Sequence, residues 1–155
     1  SGAAIHQRVQ KLTNLGIIKG SEFTLDSNRI GFETCAYIGV YLQTPGQFKE
    51  VMEKLQNIPE VVECHYTTGK YDMFLKIYAR NNNHLLQIIH TKLQPLGLAR
   101  TESIISFKEA FRRQLPIENI STYEKAESNY TTGNEESGEE VPVKKKRGRK
   151  SNSVI

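Results

Sequence analysis

The chain has 155 residues, 37% hydrophobic and 25% charged, with a formal net charge of +4 and two cysteines. That length suits one ordinary domain with an appendage, or two very small domains, and a mean hydropathy of -0.51 places part of the chain outside any core. A transmembrane span, a visible signal peptide and a disulfide framework or structural zinc site are excluded: no run of about 18 apolar residues exists, Ser1-Gly2-Ala3-Ala4-Ile5-His6 lacks a basic start before an apolar stretch, and Cys35 and Cys64 are too few.

Ile5, Val9, Leu12 and Leu15 recur at helical spacing, and Gly16 follows as a C-terminal stop. The chain starts at Ser1 directly in this pattern, so further residues are expected upstream. Ile17 to Gly20 and Phe23 to Asp26 then read as a short hairpin or wing. Residues 33–42 read as a long strand, with Ala36, Ile38, Val40 and Leu42 on one face and Cys35, Tyr37, Gly39 and Tyr41 on the other. After a turn at Pro45-Gly46, a helical stripe runs through Phe48, Val51, Met52, Leu55 and Ile58. Val61–Thr67 and Asp72–Ala79 read as strands around a turn at Gly69-Lys70. Asn81-Asn82-Asn83 offers caps to a helix carrying Leu85, Leu86, Ile89 and Leu93, which Pro95 and Gly97 stop. Arg100–Lys108 is the last strand. The fold class is α+β, and the order β-α-β-β-α-β is that of a ferredoxin-like split βαβ.

Beyond residue 118 the composition changes. Residues 119–143 carry a net charge of -5, and Lys144-Lys145-Lys146-Arg147-Gly148-Arg149-Lys150 adds +6. Such a segment buries too little apolar surface to offset its ordering entropy, so 119–155 is expected to be a disordered tail, acidic and then basic.

A ferredoxin-like sheet has helices on one face only. The other face would present Tyr37, Tyr41, Phe74 and Tyr78, an aromatic patch that points to a sheet-to-sheet dimer interface. The competing reading is a platform that stacks RNA bases, but the strand at 72–79 lacks the Arg/Lys-Gly-Phe-type signature of such sheets and starts on the acidic Asp72.

The first helix with Leu15-Gly16-Ile17-Ile18-Lys19-Gly20, then Pro59-Glu60-Val61-Val62-Glu63-Cys64, Thr67-Thr68-Gly69-Lys70-Tyr71-Asp72 and Arg100-Thr101-Glu102-Ser103-Ile104, resemble in order and spacing the Lrp/AsnC (feast/famine) transcription regulators over residues 1–115. The resemblance implies a remnant of a winged helix-turn-helix at 1–30, a ferredoxin-like effector-binding and oligomerisation domain at 31–118, and a tail at 119–155. It further implies two helices upstream of the recognition helix, dimers built through the sheets and often assembled into octamers, and an amino-acid effector bound between dimers. The location implied is cytoplasmic and nucleoid-associated, without a membrane.

On the first helix, Ser1, Gly2, Ala4, Gln7, Arg8 and Lys11 lie off the apolar stripe, where early residues of a recognition helix reach base edges and phosphates; the plain alternative is a solvated face. In the turn Thr68, Gly69, Lys70, Tyr71 and Asp72, Gly69 allows close backbone approach and exposed amides can receive a carboxylate, while Asp72 could accept an ammonium. The alternative is an ordinary hairpin turn. Thr101, Glu102 and Ser103 would form the facing wall from a neighbouring subunit. Lys146-Arg147-Gly148-Arg149-Lys150 resembles an AT-hook, whose Arg-Gly-Arg core lies in a narrow minor groove, with a generic polybasic tail as the alternative.

Cys35 and Cys64 read as strand packing residues. His6, His65, His84 and His90 have no metal spacing, and no nucleophile elbow, phosphate loop or HExxH is present. No catalytic residue, metal or cofactor is expected. The function expected is a DNA-binding transcriptional regulator that senses an amino acid. A stand-alone amino-acid-binding oligomer without sequence-specific DNA binding is the rival.

Overall fold

A computed structural model describes residues 1–126. They fall into two compact units, one of residues 23–113 and one that joins residues 1–22 to the segment from 114 onward. These boundaries differ from those expected at 30 and 118, because the chain beyond 113 returns to the first helix.

In the first unit, helix α1 spans Gly2–Asn14. Ser1 caps it by accepting a hydrogen bond from the Ala4 N–H at 3.4 Å. Gly16, at φ 72°, ends it, and the Ile17 N–H returns to the Leu12 carbonyl. No strand forms over 17–26, so the expected wing is irregular chain here; Phe23 and Leu25 are exposed and bury nothing that would hold a hairpin. A second helical segment, α4, occupies residues 120–126. The expectation of disorder from 119 therefore fails over these residues. Asn119 supplies the reason: its side chain accepts from the Ser121 N–H at 3.1 Å, a cap that polar composition hides.

The second unit is built on β1 (Thr34–Tyr41), β2 (Val61–Tyr66), β3 (Met73–Ala79) and β4 (Arg100–Ser106), in the antiparallel order β2-β3-β1-β4. Helix α2 (Phe48–Leu55) joins β1 to β2. Helix α3 (Asn82–Ile88), capped by the Asn81 side chain, continues through a π turn at Ile89–Leu93 towards β4. This is the ferredoxin-like arrangement. Ala36, Ile38, Val40, Met73, Leu75 and Ile77 point to the helices and pack with Val51, Leu55, Ile58, Leu85, Ile88 and Leu93 into one core. Leu86, expected on the buried stripe, is 53% exposed, and Ile88 takes the buried place. Gln47 ties the helix ends to each other. Its carboxamide accepts from the Gln43 N–H at 2.9 Å and donates to the Gly97 carbonyl at 3.3 Å.

Candidate functional site

Antiparallel Cα partners share a face of the sheet. Tyr37 pairs with Lys76 and Ile104, Gly39 with Phe74 and Glu102, and Tyr41 with Arg100. All these side chains, and Tyr78 opposite Cys35, therefore lie on the face away from the helices. The four aromatic residues predicted for this face share it, each half-buried. Tyr37 stacks on Phe74 at 5.8 Å between ring centroids.

Two further residues complete the patch, and sequence reasoning missed them there. Tyr71 folds back from the turn onto the sheet, stacked at 5.8 Å on Phe74 and edge-on at 5.5 Å to Tyr41. Lys76 is buried, with its Nζ 3.6 Å from a Glu63 carboxylate oxygen and 5.4 Å from the Tyr78 ring centroid. Burial opposes its charge, but Tyr78, Tyr37 and Glu63 outweigh that and hold the ammonium above its ordinary pKa. The alternation Phe74-Lys76-Tyr78 was the available signal for Lys76. Nothing in the period of a strand could announce Tyr71.

The turn after β2 closes through the Thr67 N–H on the Asp72 carbonyl and the Thr67 hydroxyl, which donates to the Tyr71 carbonyl at 2.8 Å. Gly69 sits at φ 90°, the left-handed backbone such a turn requires. Lys70 and Tyr71 point to Glu102: the Lys70 Nζ and the Tyr71 hydroxyl donate to one carboxylate oxygen at 3.0 and 2.8 Å. Arg100 and the Tyr41 hydroxyl donate to the other at 3.1 and 3.4 Å. Arg100 also lies 4.3 Å above the Tyr41 ring. The Tyr71 hydrogen bond, then Lys70, holds the Glu102 carboxyl below its usual range, while the same bonds raise Tyr71 and Lys70. Two cations and two phenols thus converge on the one carboxylate of Glu102.

Several expected placements change. Glu102 meets the turn of its own chain. Thr101 and Ser103 pair with Val40 and Ile38, so alternation points them to the helix side, away from Glu102. Thr68 is exposed. The Asp72 carboxylate accepts from the Leu42 N–H at 2.8 Å and so serves the sheet margin. Cys35 is half-buried, but Cys64 is exposed because edge strand β2 is only partly covered. There Met52, Leu55, Val61, Cys64 and Tyr66 line an open groove of about 430 Å³. His65 turns to the other side of β2 and meets Glu63 at 3.1 Å. Among the described residues no group of His, Cys, Asp and Glu could hold a metal ion, and no helix is long and apolar enough to cross a membrane.

Residues 35–116 match the family model of the Lrp/AsnC ligand binding domain. The chain belongs to the Lrp/AsnC family. It is 35% identical to the regulatory protein AsnC of Haemophilus influenzae over 116 residues, 74% of this chain and 77% of that protein. The structure of AsnC from Escherichia coli superposes with a TM-score of 0.69 at 29% identity, covering 74% of this chain and 78% of that one. A transcriptional regulator from Neisseria meningitidis, solved with L-methionine, shares the fold with a TM-score of 0.69 at 20% identity, covering 75% and 77%. This is a transcriptional regulator of the Lrp/AsnC type. The whole cluster of Tyr41, Lys70, Tyr71, Arg100 and Glu102 lies within the matched ligand-binding domain.

On α1, Ser1, Gly2, Ala4, Gln7, Arg8 and Lys11 are all exposed. The basic run Lys146, Arg147, Gly148, Arg149 and Lys150 lies outside the described residues.

Proposed function

We propose that this Lrp/AsnC chain senses an amino acid at the end of its open sheet face and couples that event to DNA binding through α1, as a dimer or higher oligomer. The observation that carries the reading is the ring of Lys70, Tyr71, Arg100 and Tyr41 around Glu102. Lys70 and Arg100 suit an α-carboxylate, and Glu102 suits an α-ammonium, so a zwitterion satisfies both halves. Glu102 takes the ammonium role that spacing had suggested for Asp72. The aromatic face beside the ring gives a second copy something to cover. An effector that favours one arrangement of copies would change the spacing of the α1 helices along DNA. The function is one of binding, with no bond made or broken, and it places the protein with the nucleoid.

The test is thermal unfolding of the full chain against each of the twenty amino acids. A ligand at 100 times its dissociation constant adds about 2.7 kcal/mol, a rise of roughly 10 °C for a chain of this size. A rise with one or a few amino acids is expected. No rise with any of them would overturn the sensing role.

A further inference from the structure

We infer that α4 docks beside the DNA-facing side of α1 and competes with DNA for Lys11, so that the C-terminal segment acts as an internal brake on DNA binding. This rests on the reading of α1 as a DNA-contacting helix. Lys11 Nζ lies 2.7 Å from Glu124 Oε1, and the two residues belong to one compact unit. Lys11 is the basic residue of the last turn of α1. Leu12, one position on, is 5% exposed, whereas Ile5 and Val9 of the same stripe are 67% and 45% exposed. The covered part of α1 is therefore its Lys11 end.

The opposing segment is built to be there. Ile120 and Tyr123 are its half-buried residues, and Glu124 follows Ile120 by four, on the same side of the helix. Asn119 caps its start, and the Tyr123 hydroxyl accepts from the Glu118 N–H at 2.6 Å. A carboxylate held on Lys11 occupies the charge that a phosphate would need, so DNA must displace it. Beyond residue 126 the sequence carries Glu127, Glu135, Glu136, Glu139 and Glu140 before the next basic residue, Lys144, the same sign of charge as DNA.

The pair is solvent-exposed on both sides, which makes the brake weak and releasable. The experiment is fluorescence anisotropy of labelled duplex DNA with the full 155-residue chain over a range of salt. Glu124→Gln should tighten binding about two- to five-fold and steepen the slope of log K against log salt by about one. Lys11→Gln should weaken binding, and adding E124Q to K11Q should then change nothing. An unchanged E124Q beside a weakened K11Q overturns the brake while leaving α1 on DNA. Equal tightening by E124Q with and without K11Q makes the effect one of general charge and overturns the specific contact. A K11Q chain that binds as well as the parent removes both the brake and the reading of α1.

Discussion

Gly39 is the residue on which the candidate site turns. It lies in the middle of β1, and a Cβ there would overlap the ring of Tyr71. Only because that place is empty does Tyr71 lie flat on the sheet with its hydroxyl 2.8 Å from Glu102. Gly39→Ala should therefore expel Tyr71, with an overpacking cost of about 1–3 kcal/mol in urea unfolding. It should also abolish the amino-acid-induced thermal shift. Adding Tyr71→Ala should recover stability, making the pair less harmful than the sum of the singles; strictly additive losses would mean that the ring does not depend on Gly39. The sequence shows why part of this was legible. Alternation places Tyr37, Gly39 and Tyr41 on one face, and Gly69 marks the turn. Which way a turn side chain folds is set by a partner 31 residues away, so the contact between Tyr71 and Glu102 could not be read from the spacing of either segment.

The elements of the ferredoxin-like unit are held at their ends as much as in the core. Glu60, between α2 and β2, receives both of its short contacts from Lys92 in the π turn after α3, at 2.8 and 2.9 Å, with His84 at 3.8 Å. Burial works against the Glu60 charge, but the Lys92 hydrogen bonds override it and leave the carboxyl below its ordinary pKa. A depressed folded-state pKa means stability present above the unfolded pKa and lost as pH falls through the folded one. Glu60→Gln should thus be less stable than the parent at pH 7, by about 1–3 kcal/mol. The gap should close as pH drops below the ordinary glutamate range, about pH 4. Urea unfolding of both chains at pH 7 and under acid conditions measures it, and a gap that is constant with pH would mean the contact is not ionic. At this scale, periodicity located all four strands to within a residue or two and placed both core helices, because their faces bury opposite classes of side chain. It misassigned Leu86, which lies within α3 outside the face buried by Leu85 and Ile88. It also missed α4, whose start is capped by Asn119 and whose Glu124 meets Lys11, more than a hundred positions back.

Over the whole molecule, charge is sorted along the chain more sharply than the net +4 suggests. The part up to 118 carries +3, the stretch 119–143 carries -5, and the six basic residues of 144–150 restore the positive sign. Two opposite effects on DNA are expected of such a segment, competition from the acidic portion and attraction by the basic end. Each phosphate neutralised on duplex DNA adds about 0.9 to the dependence of log affinity on log salt. Removing residues 144–150 takes the net charge from +4 to -2, and non-specific affinity should fall at every salt concentration. If all six charges engage phosphates, the slope should flatten by about five. A deletion that leaves the slope unchanged would mean that the basic end does not touch DNA. A flattening larger on A/T-rich than on G/C-rich duplexes would identify a minor-groove mode, since narrow grooves concentrate the negative potential that Arg147 and Arg149 would enter. Equal flattening on both would identify a polyanion-binding tail without sequence preference.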